Sequence, residues 1–451
     1  MSTAPVIPLY PTTSTILTRR LATAGARHLV PTLSDEWLDF ANFDHAASTP
    51  ALVDVAAAVA RATHTYSSVH RGKGWNSRVS STLYEAAREE VSAFVGARED
   101  DEVIFTRNTT DSFNLLAKAL PRHTTVIVFA SEHHATLLPW DPRRTVRLPV
   151  PASIADAEAL LRAGLRETAG ARGQRLVVLN GASNVTGEYW PLDRLVPIAR
   201  AAGARIALDA AQLAPHRPID LAALDVDYVA FSGHKVYAPY GVGVLAGRRD
   251  WLDAATPYLS GGGATAAVTA RGTQWQTGPS RHEAGSPNVL GAVALAAACS
   301  ALRGSRRAVL AHEAELTEAL VEGLRGIDGV ETFSIFGDGQ DRAPVVTFTV
   351  AGLPSGLVSA ALSAEHAIGV RDGKFCAHLL VDALLEDADE PATTAVRVSA
   401  GLATTSEHVE RLLTAVASLA ADGPQAAYEN DPVDGWVPID DPRDLTVDLP
   451  W

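Results

Sequence analysis

Short apolar runs alternating with helix-like stretches constrain this chain most. Val103-Ile104-Phe105, Val126-Ile127-Val128-Phe129, Leu176-Val177-Val178-Leu179, Ile206-Ala207-Leu208 and Tyr228-Val229-Ala230-Phe231 have the length and unbroken hydrophobicity of strands buried on both faces. Helices are predicted between them near 153–168 and 192–203. Another is predicted over about 80–95, where Leu83, Ala86, Ala87, Val91 and Phe94 share a face. Such alternation predicts an α/β fold with a mostly parallel sheet covered on both sides. In these sheets ligands bind outside the carboxyl ends of the strands. Polar residues stand just past those ends: Thr109, His133, Asn184, Asp209, Ser232 and Lys235.

The rest of the chain divides by texture. Residues 1–35 carry scattered Pro and Thr and read as an extended arm; 36–300 form the large domain. A short strand is expected at Asp39–Phe43, and Pro50 suits the start of a helix over Val53–Thr63. Val69-His70-Arg71-Gly72-Lys73-Gly74 reads either as a solvated turn or as an anion-binding loop. The glycines of 241–247 and 261–263 read as strand, turn and loop rather than phosphate cradles. Residues 301–421 suggest a smaller α+β domain, with helices near 308–326, 355–366 and 406–421 and strands at Val345–Val350, Ile368–Arg371 and Thr394–Ser399. Residues 422–451, acidic and proline-bearing, form an extension that either packs on the surface or is disordered.

Composition excludes whole classes of function. A net charge of −14 without basic blocks argues against a nucleic-acid partner. The apolar run Leu290–Cys299 is too short to span a bilayer, no secretory signal is expected, and Arg19-Arg20 precedes only a weakly apolar stretch. Two cysteines make no disulfide framework, so a reducing, cytoplasmic setting is expected.

Lys235 is one of only four lysines. On its own it reads either as a surface lysine after a strand or as a desolvated amine that forms a Schiff base with an aldehyde. Pyridoxal phosphate is the aldehyde cofactor that would use its neighbours. Asp209 either caps the next segment or keeps the ring nitrogen protonated. Gln212 lies within helical reach of the ring's phenolic oxygen, and His133 offers a flat face. Thr109 and Thr110 open a helix where a phosphate can sit, and Ser232 and His234 flank the lysine.

The order and spacing of many such pieces resemble the class V, fold-type I pyridoxal-phosphate enzymes, in particular the SufS-like branch of cysteine desulfurases and selenocysteine lyases. The matching pieces include Asp44-His45-Ala46-Ala47, Val69-His70-Arg71-Gly72, Asn108-Thr109-Thr110-Asp111 and Glu132-His133-His134-Ala135. They continue with Pro139-Trp140, Ser183-Asn184-Val185, Asp209-Ala210-Ala211-Gln212, Ser232-Gly233-His234-Lys235, Glu283-Ala284-Gly285-Ser286-Pro287-Asn288 and Arg371-Asp372-Gly373-Lys374-Phe375-Cys376-Ala377.

The resemblance implies a large cofactor-binding domain with a mostly parallel seven-stranded sheet and a smaller C-terminal domain. It implies Lys235 as the Schiff-base lysine, Asp209 on the pyridinium, Gln212 on the phenolate oxygen and His133 on the ring face. Thr109, Thr110, Ser232 and His234 would hold the phosphate, with Ser286 reaching in from the other subunit of a homodimer. Asn184 and Arg397 would bind the substrate carboxylate; Arg371, Arg71 and His70 would stand about the entrance. Cys376 would carry a persulfide, its thiolate favoured by Arg371 and Lys374, and pass the sulfur to an acceptor protein, while Cys299 stays structural. No metal is implied.

Three departures lie at the sulfur-handling end. Lys374 and Phe375 stand where the family usually has two histidines. His378-Leu379-Leu380 replaces a proline-containing segment, and the stretch after Arg397 lacks a Tyr-Asn pair. They leave open another class V activity on the same cofactor: a carbon–sulfur lyase, an aminotransferase or an epimerase.

Overall fold

The computed structural model describes residues 21–337, 339–386 and 388–451; Arg19-Arg20 and most of the predicted arm lie outside the described residues. Seven strands make one sheet: β1 (Asp101–Thr106), β2 (Thr125–Phe129), β3 (Thr145–Leu148), β4 (Arg175–Asn180), β5 (Arg205–Asp209), β6 (Tyr228–Ser232) and β7 (Gly243–Arg248). The order across it is β1-β7-β6-β5-β4-β2-β3. β7 runs antiparallel to both neighbours, and the remaining pairings are parallel.

All five apolar runs are strands of this sheet. Their side chains alternate between two cores, which is why the runs are apolar without a break. Ile127, Phe129, Val177 and Leu179 enter one core. Val126, Val128, Leu176 and Val178 enter the other. The edge strand β3 was not expected; its Thr-Val-Arg-Leu pattern is short and only Leu148 is buried.

The helices about the large sheet are α1 (Val53–Thr63), α2 (Trp75–Phe94), α3 (Thr109–Ala119), α4 (Ile154–Glu167), α5 (Leu192–Ala201) and α6 (Val289–Gly304). Two helix starts differ from expectation. Leu52 is the N-cap of α1, so Pro50 stands outside the helix rather than at its first position. α2 begins at Trp75, five residues before its apolar stripe makes it visible. Its opening turns bury Ser77 and Ser80 instead, which hydrogen-bond the preceding loop: Ser77 Oγ donates to the Ser68 carbonyl at 2.7 Å, and Ser80 Oγ accepts from the Ser67 amide at 2.9 Å. The apolar run Leu290–Cys299 lies inside α6 with Leu295, Ala298 and Cys299 buried. No single helix among the described residues is long and apolar enough to cross a membrane.

A second sheet follows, in the order β8-β9-β11-β10, from β8 (Val330–Thr332), β9 (Val345–Val350), β10 (Arg371–Gly373) and β11 (Ala395–Ser399). With it go α7 (Arg306–Arg325), α8 (Ser355–His366), α9 (His378–Glu386) and α10 (Ser406–Asp422). The strand expected over Ile368–Arg371 divides: Ile368–Gly369 pairs with Ala41–Asn42, and β10 pairs with β11. Ala41 and Phe43 are thereby buried in the core of this second sheet. Within the acidic extension, a hairpin of β12 (Tyr428–Asp431) and β13 (Gly435–Pro438) packs on α8. Tyr428 donates to Glu365 at 2.9 Å, and Trp436 covers Gly356.

Gly243 explains how strand ends and a helix start fit together. It lies in register between Thr106 of β1 and Ser232 of β6. A Cβ there would stand 2.5 Å from the Asn108 Cα, at the start of α3. Glycine therefore lets α3 sit directly on the sheet, where Ser232 Oγ accepts from the Thr109 amide at 2.8 Å. Gly243→Ala is expected to destabilise the protein by about 1–3 kcal/mol in urea unfolding, because backbone rather than a flexible side chain must move. Unchanged stability would mean that this contact is slack.

Candidate active site

A cavity of about 410 Å³ opens at the carboxyl ends of the parallel strands, lined among others by Thr109, His133, Asn184, Asp209, Ser232 and Lys235. The sheet delivers each residue by register. Asp209 is the last residue of β5, opposite Ala230 of β6, and Lys235 closes the 3-10 turn Gly233–Lys235 that follows β6. Thr109 and Ser232, both buried, share a hydroxyl–hydroxyl hydrogen bond of 2.7 Å. Thr110 and His234 also line the cavity, Thr110 exposed. Asn108 caps α3 by accepting from the Asp111 amide at 3.0 Å, and the positive end of the helix faces the cavity.

Burial sets the protonation of this cluster. Lys235 is pushed down to about 8 by desolvation; Asp209 opposes the shift and Arg397 adds to it. Desolvation also holds His133 at about 3 and His234 at about 4, each helped by the neighbouring Lys235 charge. Both imidazoles are therefore neutral at neutral pH. Nδ1 of His133 accepts from the Ala135 amide at 3.0 Å, which leaves the proton on Nε2. Asp209 is raised by burial, against hydrogen bonds from the Thr136 hydroxyl and the Ala211 amide. Gln212 is buried, its amide donating to the Ala46 carbonyl at 2.6 Å.

Arg397 projects from β11 and is 2% exposed. Its Nη1 donates to the Asn184 carbonyl at 2.9 Å, its Nη2 pairs with Asp44 at 2.9 Å, and its Nε has no partner. The Asn184 amide donates to the Phe375 carbonyl at 2.9 Å. Phe375 is buried with its ring 5.1 Å from the Arg397 guanidinium carbon. Cys376 follows at the cavity wall, exposed, with its carbonyl accepting from the His134 amide at 2.8 Å. Phe375 and Cys376 both have left-handed backbones, φ 52° and 54°. His378 opens α9 and meets His134 edge-on at 4.6 Å. Cys299 is buried in α6, where desolvation pushes its thiol up.

Four of the expected residues stand apart from this chain's own cavity or are paired elsewhere. His70 and Arg71 do not line the cavity. The His70 ring is instead bound to Glu85 at 2.8 Å, and Arg71 is exposed beside Gly262. Lys374 is not beside the thiol as a free cation, because Asp382 holds it at 2.5 Å. Ser286 is exposed in another pocket, with Asp111 and Tyr258, so this chain does not bring it to its own cavity. Two residues carry contacts that sequence reasoning left without a role. Thr136 binds Asp209, and Asp44 joins Arg397 to Arg371. A hydroxyl four residues after Glu132, and an acidic residue ahead of the Ala46-Ala47 pair, are the only local signals for them.

The profile of the class-V aminotransferases matches residues 41–412. A probable cysteine desulfurase of Vibrio cholerae is 33% identical over 370 residues, 78% of this chain and 88% of that protein. Among solved structures, the cysteine desulfurase CsdA of Escherichia coli is 32% identical with a TM-score of 0.72, covering 84% of this chain and 94% of its own. A cysteine desulfurase of Thermococcus onnurineus is 31% identical with a TM-score of 0.75, with the same coverage. With a buried amine and carboxylate at the ends of adjacent strands, and this similarity over most of its length, the chain belongs to the class-V aminotransferase family of pyridoxal-phosphate enzymes, alongside the cysteine desulfurases.

Proposed function

We propose that this chain is a cysteine desulfurase, taking L-cysteine or a related β-substituted amino acid to alanine and leaving the sulfur as a persulfide on Cys376. One observation carries the reading: Cys376 stands in a left-handed backbone conformation on the wall of the cavity that also holds Lys235 and Arg397. The donors around that cavity fit pyridoxal 5'-phosphate. A buried carboxylate suits a cationic ring nitrogen, and a near-neutral amine suits an aldehyde. A helix start with hydroxyls beside it suits a phosphate.

When bound, the cofactor supplies an electron sink that weakens bonds at the substrate's Cα and Cβ. Asp209 would keep the ring nitrogen protonated, with Thr136 orienting its carboxylate. Gln212 would face the phenolic oxygen and His133 the ring. Thr109, Thr110, Ser232 and His234 would hold the phosphate, and Ser286 would complete the same site in the other subunit of a homodimer. Arg397 and Asn184 would take the substrate carboxylate, with Arg371 at the entrance. Lys235 moves the proton at Cα. The Cys376 thiolate attacks the substrate sulfur, forming an S–S bond. The Cβ–S bond breaks, its electron pair stays with carbon, and a proton on Cβ completes alanine. The persulfide then passes to a sulfur-acceptor protein.

The second reading, a carbon–sulfur lyase, aminotransferase or epimerase, has one observation in its favour. Lys374 is taken by Asp382, and Phe375 is buried under Arg397. The two residues before the thiol are thus committed to structure.

Two measurements follow. With L-cysteine and a reductant, the protein is expected to yield alanine and sulfide in equal amounts, and Cys376→Ala to lose sulfide release by about 100-fold or more while keeping its cofactor colour. Pyruvate in place of alanine, or an unaffected Cys376→Ala, would establish the second reading. Because desolvation lowers Lys235, its neutral nucleophilic form accumulates above about 8. The rate at which the cofactor-free protein takes up pyridoxal phosphate should therefore rise with pH to a plateau with its midpoint at about 8, rather than at the 10.5 of an ordinary lysine.

A further inference from the structure

Two arginines face one another in the cleft. Arg371 of β10 and Arg397 of β11 are direct cross-strand partners, and both line the cavity. Like charges directly opposite on neighbouring strands destabilise a sheet. Here Asp44 lies between them, with Oδ1 2.9 Å from Arg397 Nη2 and Oδ2 3.5 Å from Arg371 Nη1. Its position is built in. Phe43 and Ala46, on either side, are tied to Ser399, two residues beyond Arg397. The Ser399 amide donates to the Phe43 carbonyl at 2.7 Å, and Ser399 Oγ accepts from the Ala46 amide at 2.9 Å. The Asp44 amide is itself held by the Asn42 side chain at 2.9 Å.

Two guanidinium charges and one carboxylate leave a single net positive charge at this end of the cleft. Arg397 Nε is buried without a hydrogen-bond partner and Arg397 lines the cavity, where one substrate carboxylate would bind. The geometry assigns to Asp44 a role as the specificity residue that sets substrate charge. It pairs with both arginines from behind the cavity lining, so that one carboxylate binds at Arg397 and a second on the same substrate finds Arg371 already paired with Asp44. Without Asp44 the two arginines would form a dicationic site fitted to a dicarboxylic amino acid. The inference rests on the reading of Arg397 as the carboxylate site.

The test uses the holoenzyme and two probes, L-alanine with one carboxylate and L-aspartate with two, their dissociation constants read from the change in cofactor absorbance. The parent is expected to bind L-alanine at least as tightly as L-aspartate. Asp44→Asn is expected to tighten L-aspartate relative to L-alanine by about ten-fold or more, and the double variant Asp44→Asn/Arg371→Gln to cancel that gain. Arg371→Gln alone removes the net positive charge, leaving Asp44 paired with Arg397, and should shift the ratio the other way, which keeps the test available if Asp44→Asn fails to fold. An unchanged ratio in the single variants, or a gain that survives loss of Arg371, overturns the assignment. Arg397→Lys separates the two layers: if it weakens neither probe, the carboxylate reading of Arg397 fails first.

Discussion

The cavity depends on a buried carboxylate and an amine brought together by the parallel register of β5 and β6. Neither charge is stable alone in a desolvated site. Burial raises Asp209 and lowers Lys235, and each is drawn partway back toward its charged form by the other. The Thr136 hydroxyl and the Ala211 amide complete the surroundings of Asp209. A cationic ring nitrogen at Asp209 and an aldehyde at Lys235 would relieve both groups, so under the proposed function the same burial that costs stability would also direct the cofactor's orientation.

Around that pair the second sheet and its connections contribute another wall of the cavity. Arg397, Arg371 and Cys376 follow the large sheet in the chain, yet Asp44, which joins the two arginines, precedes it. Ala41 and Phe43 enter the second sheet's core, so a segment early in the chain clamps a strand near its end. Closing such a contact over 353 positions is entropically costly only by the logarithm of its length, and the buried apolar side chains on either side offset it.

Much of the fold was legible because its signals are local. Five apolar runs, and the polar residues one step beyond them, located the sheet and most of the cavity. What sequence missed is relational. Thr136 bonds Asp209, 73 positions away, and nothing beside either residue announces the pair. Asp44 belonged to a recognised motif, but its partners lie two sheets distant in sequence. Arg71, His70 and Lys374 stood in suggestive places, and local acidic partners gave two of them other work: Glu85 holds His70 and Asp382 holds Lys374. Proximity along the chain distinguishes a cation that can meet a ligand from one already neutralised only when the partner happens to be visible, as an i+8 aspartate on the next helix is not.

The sulfur end of the cleft is where sequence and structure together say most. Two consecutive non-glycine residues, Phe375 and Cys376, hold left-handed conformations that cost about 1–2 kcal/mol each. They are held by contacts on both sides: the Asn184 amide on the Phe375 carbonyl, the His134 amide on the Cys376 carbonyl, and the Phe375 ring against Arg397. Phe375, a departure from the usual histidine, is thus a buried anchor that spans from the guanidinium to the thiol. A histidine in that place would leave two ring nitrogens to satisfy against a cation; phenylalanine presents a π-face and needs no partner. Phenylalanine also leaves no titratable ring at this position of the loop. The backbone then turns Cys376 out to an exposed position on the cavity wall, the place from which the proposed function would have the thiol take up and hand on sulfur.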